Sequence, residues 1–292
     1  MGDVRWEIET WTGSGEGRVN EDFALVDVDA CCAVLVDGAT GLTKANLVAG
    51  TSDAAWYARR LCEALAGTLA TTGLALDEAL PVAGHAVADD YRLFPGADDL
   101  SRIDEPNGSL AAVDWRGGNV TLAMLGDCTA VVTLRDGSRV VLHDDTLTQL
   151  DEQNYRRMLS YAQSHGTTMR RARVALNPRF IENRLKMNQP GGYWAADVSC
   201  AGMTHAQVTT YPAGIVRSVF ACSDGYAAAV DMGVVPDAAR LAGRVEDGEG
   251  RALGRLLREA ETADEGCWRV PRSKTSDDAT YVLVRFDRPS QG

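Results

Sequence analysis

Cys31-Cys32-Ala33-Val34-Leu35-Val36 is a mostly apolar run with no polar face, and it is followed directly by Asp37 and Gly38. Such a run reads as a strand buried on both sides. A carboxylate at its end cannot retreat into apolar packing, and burying its charge unpaired is costly, so Asp37 needs a partner such as a cation. Gly38 lets the backbone come close to whatever binds. The same order recurs where Leu122 to Gly126 precedes Asp127 and where Val219 to Ser223 precedes Asp224. It recurs in reverse, acids first, where Asn20, Glu21 and Asp22 precede Phe23 to Val26, and where Asp277 and Asp278 precede Tyr281 to Val284. If these ends converge, they form a carboxylate cluster with little His or thiolate in it. That donor set suits hard divalent ions such as Mg²⁺ or Mn²⁺.

The elements that must hold these acids are legible as alternating and periodic stretches. Strands are expected at Trp6 to Thr12, Phe23 to Val28 and Ala30 to Val36, the last two forming a hairpin around Asp27-Val28-Asp29. Further strands are expected at Ser109 to Trp115, Asn119 to Leu125, Thr129 to Leu134, Arg139 to Leu142, Gln207 to Tyr211, Ile215 to Cys222 and Tyr281 to Phe286. Helical spacing of apolar residues runs from Leu47 to Ala66, Leu76 to Tyr91, Thr148 to Ser164, Pro236 to Ala242 and Arg251 to Ala263. Strand-rich and helix-rich blocks separate, which favours an α+β fold with antiparallel sheets. No internal repeat or linker divides the chain, so residues 1–292 are expected to form one domain.

With 45% hydrophobic residues the chain can bury a sizeable core, and its net charge of −12 argues against nucleic acid or an anionic membrane as the main partner. The seven cysteines show no paired metal-ligand spacing and several sit in apolar runs, so no disulfide framework is expected. The beginning of the chain lacks the order of a signal peptide and no apolar run approaches membrane-spanning length, so a cytoplasmic protein is expected. Ala24-Leu25-Val26-Asp27-Val28-Asp29 has the look of a nucleophile strand of haloacid-dehalogenase-like phosphatases, but a solvated turn is the better reading because Cys31 stands where those enzymes want Thr or Val. The glycines at 13, 15 and 17 lack the G-x-G-x-x-G spacing of a dinucleotide loop. Arg170, Arg171, Arg173, Arg179 and Arg184 are dense for so acidic a chain and are candidates for gripping phosphate, against the alternative of a solvated basic face.

Taken in order, Arg18-x-Asn20-Glu21-Asp22, Val36-Asp37-Gly38, Gly126-Asp127, Ser223-Asp224-Gly225 and Asp277-Asp278-x-Thr280 resemble the acidic motifs of the metal-dependent protein phosphatases (PPM, protein phosphatase type 2C), with divergent bacterial members the nearest in pattern. The resemblance implies a four-layer α-β-β-α sandwich, two antiparallel sheets flanked by helices, with a two-metal centre at one end and a divergent helical or flap segment at about 143–212. It implies two Mn²⁺ or Mg²⁺ ions, with Asp37 bridging them. Asp224 and Asp277 would hold the first ion and the Gly38 carbonyl the second. Glu21 and Asp22 would hold waters on the second ion, Asp127 would serve a third, looser site, and Arg18 would grip the substrate phosphate. The implied activity is hydrolysis of phosphoserine and phosphothreonine in proteins by water attacking phosphorus in line. A small phosphorylated metabolite as substrate, or a catalytically silent binding module, are the alternatives. One departure stands out: Ala39-Thr40 follows Asp37-Gly38 where the family commonly has a His proposed as general acid.

Overall fold

In the computed structural model, which describes residues 6–16, 19–43 and 45–286, the apolar runs become strands with two buried faces. In chain order the elements are β1 (Trp6–Gly13), β2 (Asp22–Asp27), β3 (Cys32–Ala39), α1 (Asp53–Thr72), α2 (Leu76–Arg92), β4 (Asn107–Asp114), β5 (Asn119–Leu125), β6 (Thr129–Leu134), β7 (Arg139–Leu142), α3 (Asp145–Ser164), α4 (Met169–Ala175), α5 (Asn177–Arg184), β8 (Ala196–Asp197), β9 (Gln207–Pro212), β10 (Val216–Cys222), α6 (Asp224–Ala227), α7 (Ala238–Glu246), α8 (Gly250–Ala263) and β11 (Ala279–Phe286). One sheet has the order β1-β11-β10-β6-β7 and the other β2-β3-β4-β5-β9, with β8 against β4; every ladder is antiparallel.

The period-two pattern of β3 shows why four layers form. Ala33 and Leu35 point between the sheets, where they meet Val113, Met124, Val132, Val219 and Val282. Val34 and Val36 point the other way, into a core shared with Tyr57, Leu61 and Leu65 of α1 and Leu80 of α2. On the outer face of the β1-β11-β10-β6-β7 sheet, Val131, Phe220 and Leu283 pack against Leu241 and Val245 of α7 and Leu253 and Leu257 of α8. Leu61 and Leu65 are completely buried, and each such side chain contributes about 1.5–3 kcal/mol relative to an exposed one. The expected α-β-β-α sandwich is therefore the observed architecture. Among the described residues, no helix is long and apolar enough to cross a membrane.

Three differences from the sequence reading bear on how the site is built. β3 does not stop at Val36 but carries Asp37 and Gly38 inside the ladder, paired to Asp22 on one side and to Ser109 and Gly108 on the other. The helix expected from Leu47 begins only at Asp53, because Ser52 caps it and the Asp53 carboxylate accepts the Leu47 and Val48 amides and the Tyr91 hydroxyl. A fixed loop therefore occupies what looked like the first turns. The basic stretch at 169–184 folds into α4 and α5, and Met169 and Ala172 of α4, Leu176 between the helices and Phe180 of α5 pack with Met158 and Ala162 of α3 and with Cys267.

Candidate functional site

In an antiparallel sheet, the last residues of one strand lie beside the first residues of its neighbour. Asp22 opens β2 and Asp37 lies near the end of β3, so the two are direct register partners. Ser109, across β4 from Asp37, donates to Asp127 Oδ1 (2.5 Å) and accepts the Asp127 amide (3.1 Å). Gly126 makes this contact possible: its φ is +80°, and a Cβ there would stand 2.2 Å from Ser109 Oγ. In the other sheet β10 ends and β11 begins at the same place, where the Ser223 amide donates to the Thr280 carbonyl (3.0 Å). Ser223 Oγ also donates to Asp22 Oδ2 (2.8 Å), which ties the acid ends of the two sheets together. Asp278, buried, accepts the Gly15 amide (2.7 Å) and the Glu21 amide (2.8 Å), and so fixes the strand that presents Glu21.

Glu21, Asp37, Gly38, Asp127, Asp224 and Asp277 consequently line one cavity of about 330 Å³, with Asp22 buried behind them. Asp127, Asp224 and Asp277 also line an adjoining cavity of about 470 Å³ that runs between α3 and residues 269–274. Of the residues expected at the site, Arg18 lies outside the described residues. Asp27, from the rival nucleophile strand, caps the Ala30 amide (2.9 Å) in the turn at the opposite end of β2 and lines neither cavity.

The acids raise one another. Enclosure by protein, then the charges of Asp22, Asp224, Asp127 and Asp277, push the Asp37 carboxyl well above its ordinary value. Asp224, although open to the water of the cavity, is pushed up by the same enclosure and by Asp127 and Asp277, offset by a hydrogen bond with Asp37 and by Lys274. Burial takes Asp22 up to about 6 despite the Ser223 and Thr280 hydrogen bonds. Burial raises Asp127 as well, against the Ser109 contact. Two of the carboxylates are meanwhile engaged by a protein donor: Glu21 by the Thr40 hydroxyl and Asp277 by Lys274 Nζ (2.5 Å). Among the described residues, no three His, Cys, Asp or Glu side chains are already grouped around one point as the ligands of an ion. The donor set is nonetheless all hard oxygen and its charges repel, with the Lys274 ammonium beside Asp277 the cation that offsets them. Residues of this kind fit divalent cations.

Sequence reasoning missed Lys274, Ser109, Ser223 and Asp151. Asp151 of α3 lines both cavities, and its carboxyl is pushed up to about 7 by burial and by Asp127, with Arg184 and Arg173 pulling it down. Only the local density of arginine hinted that this segment faces the acids.

The loop carrying Lys274 hangs on Asp264. Burial alone would raise that carboxyl, but amides of Trp268, Arg269 and Val270 and the Arg272 guanidinium (2.6 Å) outweigh it and hold it down at about 2. A carboxyl lower in the folded than in the unfolded chain stabilises above the unfolded value, and that stability is lost as pH falls through the folded one. Asp264→Asn is therefore expected to lose about 2 kcal/mol at pH 7. The difference from wild type should shrink below about pH 4, as followed by urea unfolding across pH. A deficit unchanged down to about pH 2 would remove the electrostatic cause.

No known protein-family profile matches this sequence, and no curated protein matches it. Solved structures do. The serine/threonine phosphatase PstP/Ppp of Mycobacterium tuberculosis is 17% identical over 98% of this chain and 100% of its own, with a TM-score of 0.56. PppA of Pseudomonas aeruginosa is 17% identical over 97% and 99%, with a TM-score of 0.58. The catalytic domain of PstP in complex with two manganese ions is 17% identical over 98% and 100%, with a TM-score of 0.53.

Proposed function

We propose that this chain, whose fold is that of the metal-dependent protein phosphatases, is a divalent-metal-dependent phosphatase of phosphoserine and phosphothreonine in proteins. The observation that carries the reading is the meeting of acids from β2, β3, β5, β10 and β11 at one cavity. In this reading Asp37, Asp224 and Asp277 and the Gly38 carbonyl hold the ions, while Glu21, Asp22 and Asp127 hold their waters or a further ion. Bound there, two divalent ions supply Lewis acidity toward phosphoryl oxygens and acidify water at neutral pH.

The chain's own groups do the rest by position. Asp278 orients Glu21, Ser109 orients Asp127 and Ser223 orients Asp22, so the acids are held before any ion arrives. Thiol chemistry is disfavoured, because Cys128 and Cys222 beside the acids are fully buried and pushed up, first by that burial. The cytoplasm is the proposed location. A protein substrate is favoured over a small metabolite because the two cavities adjoin along the same acids, leaving room for chain on either side of a phosphorylated residue.

Mn²⁺-loaded protein is expected to hydrolyse phosphoserine and phosphothreonine peptides with kcat/KM about tenfold or more above that for small phosphometabolites, a margin of about 1.4 kcal/mol in transition-state binding. Metal-loaded protein that left phosphopeptides and p-nitrophenyl phosphate intact would end the proposal.

A further inference from the structure

Arg184, the last residue of α5, lines the acid cavity together with Arg173, Asn183 and Tyr193. Its Nη1 is buried with no hydrogen-bond partner, and its side chain makes no hydrogen bond or ion pair among the described residues. An unspent guanidinium is unusual in a chain of net charge −12, because a buried N–H left unmade costs the full desolvation of that group. Carboxylates are near enough to feel it: the charge of Arg184 lowers both Asp104 and Asp151. Neither takes it as a partner. Asp104 is already filled by the Thr43 amide and hydroxyl and by Ser101 Oγ (2.7 Å). Asp151 is half-buried on α3 and lies within reach of the Asp127 charge.

Arg173 is held differently. Its guanidinium lies 3.5 Å over the Phe180 ring and Nη1 donates to Asn177 Oδ1 (2.8 Å), so it contributes positive charge from a fixed place. Lys274 is engaged by Asp277. Among the described residues three cations line this cavity, and of these Arg184 alone keeps its planar fork open, on a wall that shares the space with cation-seeking acids. A tetrahedral dianion is complementary to such a pairing: its oxygens can face cations on one side and accept two parallel N–H bonds on the other.

We propose that Arg184 is a phosphate-gripping residue of this cavity, with Arg173 adding to the positive field. The inference deepens the phosphatase reading and rests on it for the identity of the substrate, but it concerns binding and is measured without turnover.

The test is calorimetric titration of Mn²⁺-loaded full-length protein with inorganic phosphate. Arg184→Met is expected to weaken phosphate binding about 10- to 100-fold and Arg184→Lys less, because the ammonium keeps the charge but loses the fork. Mn²⁺ affinity should be unchanged in both. Where peptide turnover is measured, KM should rise by the same factor while kcat stays within about threefold. Equal phosphate affinity in wild type and Arg184→Met, or no phosphate binding by the wild type, overturns the assignment. If Arg184→Met does not fold, Arg184→Lys decides: a loss of phosphate affinity supports it and unchanged affinity overturns it. Absence of hydrolysis with this phosphate response intact would fail the phosphatase reading alone.

Discussion

Asp37→Asn is expected to abolish divalent-ion binding and to lower phosphopeptide hydrolysis by about 10³-fold or more, since metal-ion catalysis contributes several kcal/mol and each 1.4 kcal/mol is tenfold. The same substitution should raise the melting temperature of the metal-free protein. Both follow from one position. Asp37 sits inside β3, between Asp22 in β2 and Ser109 in β4, and lines one cavity with Asp224 from the other sheet. Enclosure and four neighbouring acids make its charged form unfavourable. Asparagine keeps the shape and removes the charge, so the metal-free fold loses a repulsion while the carboxylate proposed to hold the ions is lost. Relief of about 1–2 kcal/mol corresponds to a rise of roughly 2–8 °C for a chain of this size. Saturating Mn²⁺ should raise the melting temperature of the wild type, which binds it only when folded, and leave the variant unmoved. Calorimetric titration, kinetics and thermal melting with and without Mn²⁺ check the three parts. A variant that kept Mn²⁺ binding, or that melted lower without metal, would show that Asp37 is a structural residue.

Gly225→Ala is expected to destabilise the protein by about 2–3 kcal/mol and to weaken Mn²⁺ binding by about tenfold or more, because over-packing a rigid contact forces the backbone to move. A Cβ on Gly225 would stand 1.8 Å from the Asp278 carbonyl oxygen and 3.1 Å from the Asp277 Cβ. The obstacle at 1.8 Å is backbone and cannot rotate away. The chain after β10 and the chain before β11 must part, and they carry Asp224 and Asp277. Gly67→Ala is the control: it lies inside α1 without a positive φ, and a Cβ added there would meet nothing within 4 Å. It should stabilise by about 0.5–1 kcal/mol, the helical preference of alanine over glycine. Urea unfolding of both variants and Mn²⁺ titration of Gly225→Ala decide the matter; a neutral Gly225→Ala would mean that the two strand ends are not held in this contact.

Much of the site was legible in the chain itself. The strands at 119–125, 129–134 and 139–142 match their sequence reading at both ends, because period-two patterning between Gly-bearing turns is a local signal. The acids were legible because each interrupts or precedes an apolar run, where a charge has no packing reason to be. Even their convergence was half written: acids end β3, β5 and β10 and begin β2 and β11, and antiparallel pairing brings such ends to one edge. What stayed hidden depends on other elements. The start of α1 was misread because Leu47 and Val48 fall on the helical period, yet their amides serve Asp53. α4 and α5 were read as a basic run because the apolar contacts that make them helices lie on α3 and at Cys267.

By itself, then, the sequence determined which strands form, which of their ends bear carboxylates and that the donors are hard oxygens, since these follow from chemistry and periodicity within a few residues. Tertiary structure decided that the acid ends of two separate sheets coincide, through a contact such as Ser223 to Asp22 between residues 201 apart in the chain. It also decided that Lys274, Asp151 and Arg184 face them. The physical reason is range: a local pattern sets how a segment folds, while the packing of one sheet on another sets which charges must share a space.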